Sequence, residues 1–435
     1  MATSRFKLNL LLLFFLFVIL IVFFAVQLDG KQLLSNRNIE VQGANLASLI
    51  QVQQWNLLDK VGEGKELLKN SPPLEFVEKS RQIVRKQIEL AILNIETGEV
   101  FLKRYWLENK DINRAYDAQK VYKGNPDLPR FTPADPNEDF EVVNNWWNGW
   151  ASDWSIEKIG STNSDIYVVV ADKYSVPNSY IIYPEDKTGP KYSDIVFSPP
   201  SEALHDQDLV GGGREYVDEK VDTAFEELRD LQVMSRAFPG ELVVDTISKI
   251  FPKKILVVEQ TDPDAILNRA KTDEEKRRVA EKVLLRYGLN GDKAFRYTKS
   301  SAGALGLAQI MSTTYSYPRG GTGMVQRYPT ANLIKDDDLG RVDPINAIKA
   351  QILVFDDHLV EVINRVNRSG TRAKQVFNNL TESQLNEVRG MIYNGGPGKY
   401  NISTGGLNTN SRGARETRDF LKKYRVISYL NLFNE

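Results

Sequence analysis

Seventeen consecutive residues, Leu10 to Val26, carry no polar side chain, and a run this apolar on every face does not belong on the surface of a globule. Its length is near the minimum for a bilayer span. A cleaved signal peptide has a shorter apolar stretch and a small-x-small exit, whereas this exit reads Phe23-Phe24-Ala25-Val26-Gln27-Leu28-Asp29. An uncleaved anchor is therefore expected over residues 1–29. Arg5 and Lys7 precede the run, which predicts a cytoplasmic N-terminus and the remaining chain outside the membrane.

The chain of 435 residues as a whole reads as folded protein, since 42% are hydrophobic and 26% charged. Lys and Arg number 56 against 57 Asp and Glu, so the overall balance calls for no polyanionic partner and no nucleic acid is expected. The absence of cysteine removes disulfides, thiol nucleophiles and thiolate metal sites. With His205 and His358 as the only histidines, a His-rich metal site and a serine–histidine triad are both disfavoured. An enzyme built from this chain would work with carboxylates, hydroxyls and amides.

After the anchor, residues 44–68 and 74–93 look helical by the spacing of their apolar positions. From Ile92 to Trp106, Glu96-Thr97-Gly98-Glu99 lies between apolar runs, and a hairpin competes there with continued helix. Ile166 to Val170 and Tyr180 to Tyr183 flank Val176-Pro177-Asn178 and read as two strands joined by a turn. A small α+β domain over residues 30–184 follows. Four tryptophans, Trp146, Trp147, Trp150 and Trp154, fall together. Exposed indoles could stack on sugars or rest at a membrane interface, but clustered aromatics more commonly bury one another, and a core role is expected.

Residues 185–214 shift to Pro, Ser, Asp and Gly, including Ser198-Pro199-Pro200-Ser201 and Gly211-Gly212-Gly213, and read as a linker. Helical patterns then dominate: 217–237, 242–260, 274–287 closed by Gly288, and a helix opening at Asp343-Pro344 with Ile345, Ile348, Ile352, Phe355 and Leu359 on its apolar face. Residues 215–435 are thus expected as a helical domain, and the chain as mainly α. Lys335-Asp336-Asp337-Asp338 lacks the ligand spacing of a calcium loop and reads as a solvated turn. His358, beside the apolar stripe, reads as a packing or surface histidine. No metal or cofactor is expected.

Two segments of the helical half carry chemistry. Ser300-Ser301-Ala302-Gly303-Ala304-Leu305-Gly306-Leu307-Ala308-Gln309-Ile310-Met311 combines small residues, which let backbone approach a ligand, with an amide that both donates and accepts. Tyr393-Asn394-Gly395-Gly396-Pro397-Gly398 sets a hydroxyl and an amide before a glycine-rich turn. Two such elements suggest the two walls of one cleft.

These segments resemble the lysozyme-like lytic transglycosylases that cleave peptidoglycan, whose motifs run Ser-x-x-Gly-Ala-x-Gly-Leu-x-Gln-Ile-Met-Pro-x-Thr and Ala-Tyr-Asn-Ala-Gly-Pro-Gly. Ser300, Gly303, Ala304, Gly306, Leu307, Gln309, Ile310 and Met311 match the first, and Tyr393, Asn394, Gly396 and Pro397 the second. Ser312 replaces the proline, and Ile392 and Gly395 replace the alanines. The resemblance spans roughly residues 242–400. It implies a lysozyme-like helical fold and a single catalytic glutamate at the end of an apolar helix, usually about ten residues before the glycine motif. At that distance this chain has Asn290 and Asp292. The better match is Ile255-Leu256-Val257-Val258-Glu259-Gln260-Thr261-Asp262-Pro263, which requires about thirty inserted residues, as in a divergent branch of the family with an interposed helix. Glu259 is assigned, with Asp292 as runner-up.

The resemblance implies cleavage of the MurNAc–GlcNAc β-1,4 bond. Glu259 protonates the bridging oxygen, then deprotonates the sugar's C6 hydroxyl to close a 1,6-anhydro ring, while the substrate's N-acetyl group stabilises the developing cation. Ser300, Gln309, Met311, Tyr393 and Asn394 would contact the sugar. The partners implied are peptidoglycan glycan strands, and the membrane through the N-terminal helix. Two alternatives remain: a catalytically inactive wall-binding or assembly protein with the same cleft, and a hydrolase that admits water.

Overall fold

Asn56 starts the first helix, α1 (Leu57–Asn70), by accepting from the Leu58 N–H at 2.7 Å and the Asp59 N–H at 3.3 Å. The computed structural model describes residues 55–80, 82–108, 110, 130–131, 140–146, 152–159, 166–317 and 320–433. The expected membrane run Leu10–Val26 and the part of the helix expected over 44–68 that precedes residue 55 lie outside them.

Beyond α1 the chain forms β1 (Phe76–Lys79), β2 (Gln82–Asn94) and β3 (Val100–Glu108). The open choice at Ile92–Trp106 resolves as a hairpin for a local reason. Asn94 Oδ1 accepts from the Glu96 and Thr97 N–H groups at 2.9 and 3.2 Å, and Gly98 takes a φ of +73° against the Trp55 indole. Leu93 then pairs with Val100 and Arg85 with Glu108.

The helix expected over 74–93 is therefore replaced by β1 and β2. Ile88, Leu90 and Ile92 point into one apolar layer, while Ala91 and Leu93 point into another that includes Val61 and Leu68 of α1. A strand covered on both faces is apolar almost continuously, and such a run cannot be told from helix by periodicity.

Strands β4 (Arg130–Phe131), β5 (Phe140–Trp146) and β6 (Asp153–Lys158) form a separate three-stranded antiparallel sheet. Its Phe140, Val142, Trp154 and Ile156 pack on the Ile88–Leu90–Ile92 layer. Trp154 is buried and donates its indole N–H to Asp172 at 3.0 Å. Trp147, Trp150 and the side chain of Trp146 lie outside the described residues. Strand β7 (Tyr167–Pro177) pairs with β2 and with β8 (Tyr192–Phe197). The strand expected at Tyr180–Tyr183 does not form. The chain turns at Asn178–Tyr180, where Asn178 donates to the Gly189 carbonyl and accepts from Ser193.

The expected linker over 185–214 is also corrected. It contains β8 and the opening of α2 (Gln207–Asp230). The glycine run belongs to that helix because Gly213 lies against α4 (Asp273–Asn290), where a Cβ would stand 1.8 Å from the Leu284 carbonyl oxygen. Gly288 makes the reciprocal approach to Leu209. Between these helices lies α3 (Ile250–Gln260). After α4 come two single-turn helices, α5 (Ser312–Tyr315) and α6 (Met324–Arg327), then α7 (Asp337–Val342), α8 (Pro344–Arg368), α9 (Thr371–Asn378), α10 (Glu382–Gly395), the two-residue strands β9 (Tyr400–Asn401) and β10 (Gly406–Leu407), and α11 (Ala414–Leu430).

Asp343 caps α8 by accepting from the Asn346 N–H at 2.9 Å, with Pro344 at the first helical position, and Ile348, Ile352, Phe355 and Leu359 are buried. One core runs from Ala91, Leu93 and Val170 of the sheet through α2, α3, α4 and α8 to α11. The chain from Trp55 to Glu435 is accordingly one compact unit.

The expectation of a mainly α, lysozyme-like chain is corrected, while the transmembrane helix expected at its head lies outside the described residues. About 52% of the described residues are helical and 19% are in strands, in several sheets. No helix among the described residues is long and apolar enough to cross a membrane. The architecture is α+β, with a sheet layer and a helical layer sharing one core.

Candidate functional site

Four of the eleven residues of α3 are an unbroken apolar run, Ile255 to Val258, all buried, and the helix ends at Glu259-Gln260. Its end is closed from two directions. The Thr261 hydroxyl donates to the Val257 carbonyl at 2.7 Å, and buried Lys423 of α11 donates its ammonium to the carbonyls of Val258 at 2.6 Å and Thr261 at 2.9 Å. A cation on the orphan carbonyls of a helix C-terminus complements its dipole.

Glu259 stands at this junction. Burial pushes its carboxyl up from the ordinary 4.5 to about 7; the Lys423 charge opposes that rise and the Glu416 charge adds to it. Lys423 is moved the other way, its ammonium lowered by burial against the pull of Glu259, Asp262 and Glu416. A carboxyl that titrates near neutrality is matched to giving a proton and later taking one back.

The neighbouring residue joins the acid to the glycine-rich segment. Gln260 donates its amide to the carbonyls of Gly306 at 3.2 Å and Leu307 at 2.9 Å, across 46 and 47 positions of sequence. Tyr393 of α10 joins the same place from the opposite side, donating its hydroxyl to the Ala308 carbonyl. Burial and then the charge of Glu259 raise the phenol's pKa well above its usual value, and Gln351 of α8 stands beside the hydroxyl. The structure thus brings Glu259, the segment 300–311 and Tyr393 together.

The other expected residues are positioned differently from one another. Ser300 closes the loop on itself: its N–H donates to the Ala304 carbonyl at 2.9 Å and its hydroxyl accepts from the Ala304 N–H at 3.0 Å. Gln309 sits at φ +50° and donates to the carbonyls of Thr298 at 3.2 Å and Gly306 at 2.7 Å. Both amide hydrogens are thereby committed to the loop. Met311 precedes α5 and is half-buried, as is Asn394 at the end of α10. Asp292, the runner-up acid, is exposed, accepts from the Tyr216 hydroxyl at 2.9 Å and lies 3.6 Å from Lys220. Nothing among its partners belongs to the glycine segment.

Three residues that hold the site had no local signal in the sequence. Gln260 and Lys423 are two. The third is Arg341 of α7, 5% exposed, whose five N–H donors are all placed. One terminal nitrogen serves the carbonyls of Gly303 at 3.1 Å and Ile310 at 3.2 Å. The other reaches Asp337 and Asp338, both at 2.7 Å, and Nε donates to the Asp337 carbonyl at 3.1 Å. Gly306 permits this approach, since a Cβ there would stand 2.2 Å from the Arg341 carbonyl oxygen. The acidic run expected as a solvated turn instead caps α7 through Asp336 and neutralises the arginine that clamps the loop.

His358 donates its Nδ1–H to the Ile392 carbonyl oxygen at 2.8 Å, fastening α8 to the helix of Tyr393. No group of His, Asp and Glu among the described residues could hold a metal ion. No family model, curated protein or solved structure matches the chain.

Proposed function

We propose that this protein cleaves the glycan strands of bacterial peptidoglycan as a lytic transglycosylase, with Glu259 as the only acid–base group. What carries the reading is one juxtaposition: a carboxyl held near pKa 7 at the end of an apolar helix, tied through Gln260 to the Gly306–Leu307 backbone and facing Tyr393.

The chemistry follows from a single carboxyl. Protonated Glu259 gives its proton to the bridging oxygen as the C1–O bond breaks, and the substrate's own N-acetyl oxygen supports the cation at C1. Glu259, now a carboxylate, takes the proton of the C6 hydroxyl as that oxygen closes on C1. The proton is returned and no water is consumed, so a second catalytic carboxylate is unnecessary. In this reading the Gln309 carbonyl oxygen and the Asn394 amide hold the acetamido group and the C6 hydroxyl, and Met311 lines the cleft. Ser300 and Tyr393 act on the loop's shape. The reading requires the chain to work on the extracytoplasmic side of the membrane, where the glycan lies.

Mass spectrometry of muropeptides released from purified sacculi tests this. Anhydro-ended products are expected, and Glu259→Gln should reduce their release at least 1,000-fold without unfolding the protein. Products with hydrated reducing ends would make the protein a hydrolase. No release from the native chain would leave a glycan-binding protein, and activity retained by Glu259→Gln would place the acid elsewhere.

A further inference from the structure

Between the segment that follows α3 and the start of α11 lies a cavity of about 470 Å³, within the range of small-ligand sites. One wall is the segment that follows Glu259, with Asp264, Leu267 and Asn268; the other is the first half of α11, with Arg415, Arg418 and Lys422. Both walls continue directly into the surroundings of Glu259. Helix α11 carries Glu416 and Lys423 seven positions apart, whose charges act on Glu259, and Arg415, Arg418 and Lys422 form the adjacent line at spacings of three and four.

The cavity has charge to spare. Asp264 is paired with Arg269 at 3.1 Å, and Asp419 with Lys422 at 3.6 Å. Arg415 and Arg418 have neither an ion pair nor a hydrogen bond to any described residue, so two guanidinium groups line this space, beside Asp264 and Asp419, without a direct partner of their own. They also sit in the first turns of α11, where aligned peptide dipoles disfavour cations, so they do not serve the helix itself. A neutral sugar backbone gives a pair of guanidinium forks nothing to grip; a carboxylate does.

We propose that this cavity receives a carboxylate of the stem peptide borne by the glycan strand, so that the enzyme selects peptide-substituted sugars next to the bond it cuts. The proposal rests on the transglycosylase reading above and adds the substituent recognised. Arg415 and Arg418 are specificity residues here and take no part in proton transfer.

The test titrates the full chain with a soluble disaccharide tetrapeptide and with the same disaccharide stripped of its peptide. The native protein should bind the peptide-bearing form about tenfold more tightly, and salt should narrow the gap. Arg415→Gln with Arg418→Gln should erase that preference and leave affinity for the stripped disaccharide and the melting temperature unchanged, both side chains being exposed. Equal binding of the two disaccharides by the native chain, a preference that survives in the double variant, or displacement of the muropeptide by equimolar inorganic phosphate would overturn the proposal. Release of anhydro muropeptides from sacculi separates the two claims. Release without peptide preference removes this inference alone, whereas no release and no binding of either disaccharide removes both.

Discussion

Two glycines of α2, two positions apart, should respond to alanine in opposite directions. At Gly213 an added Cβ stands 1.8 Å from the Leu284 carbonyl oxygen, 2.5 Å from its carbon and 2.9 Å from the Gly288 nitrogen, where ordinary contact begins at 3.4 Å. All three atoms are backbone of α4, so no side chain can swing aside. The two helices must part by roughly 1.5 Å, and a gap of even half to one ångström forfeits a quarter to a half of each contact's dispersion energy. Leu209, Val210, Val217 and Leu284 all lie in that core. Overpacking of this kind costs about 3 kcal/mol, of which roughly 1 kcal/mol returns through alanine's better helix propensity. Gly211 sits in the same helix with nothing within 4 Å of its Cβ position, so Gly211→Ala keeps only the propensity gain of about 1 kcal/mol. At roughly 2 °C per kcal/mol for a unit of this size, Gly213→Ala should melt about 4 °C or more below the native chain and Gly211→Ala about 2 °C above it. Thermal scans followed by circular dichroism, with urea midpoints as a second measure, decide the matter. A Gly213→Ala protein as stable as Gly211→Ala would refute the helix contact and return the glycine run to the linker that its composition suggested.

Three further outcomes follow from the site. The folded chain holds the Glu259 proton up to about pH 7 while the unfolded chain releases it near 4.5, so the native protein loses stability as pH rises through that window; Glu259→Gln cannot ionise and should gain on the native protein by at most about 3 kcal/mol at pH 8 while matching it near pH 4.5, and a melting difference that does not grow with pH would contradict this. Lys423→Met removes the charge that holds the Glu259 carboxyl down, so the alkaline limb of the pH–rate profile should move upward even as the end of α3 loses two hydrogen bonds, with Lys423→Arg keeping the limb nearer its native position. Arg341→Ala strands Asp337 and frees the glycine loop, which should cost about 3 kcal/mol and most of the turnover; Arg341→Lys, with three donors for five acceptor contacts, should recover little of either, and full recovery by lysine would show that charge alone sufficed.

Local chemistry was legible wherever one residue decides a local outcome. Asp343 before Pro344 starts α8 as the cap and proline require, and an apolar run ending in an acid marks the end of α3. The failures have a common cause, which is tertiary contact. Residues 74–93 look helical only because β2 is covered on both faces. Gly211-Gly212-Gly213 looks like a linker because the partner that makes use of Gly213 lies at Leu284 and Gly288, more than seventy positions away. Lys423 meets Val258 across 165 positions, and no periodicity reaches that far. Ser300 and Gln309 were found by pattern, but the pattern does not reveal that their hydrogen-bonding groups serve the loop's own backbone.

The spacing between acid and glycine loop was the strongest objection to assigning Glu259, and the structure gives a reason why it is a weak one. A site depends on where the ends of a connection are held, and hardly on its length. Lengthening a connection from about ten to about forty residues is two doublings, which adds roughly 1.2 kcal/mol of closure entropy. The inserted chain is itself ordered: Thr272 and Glu275 form a capping box at the start of α4, and α4 packs against α2 through Gly213 and Gly288. Most of that cost is therefore met outside the site. At the site, the two Gln260 bonds to Gly306 and Leu307 hold the ends together, each contributing about 1 kcal/mol. Sequence distance between the proposed acid and its loop is thus a poor criterion in this architecture. The informative quantity is whether the residue next to the acid bonds to the loop's backbone, and Gln260 does.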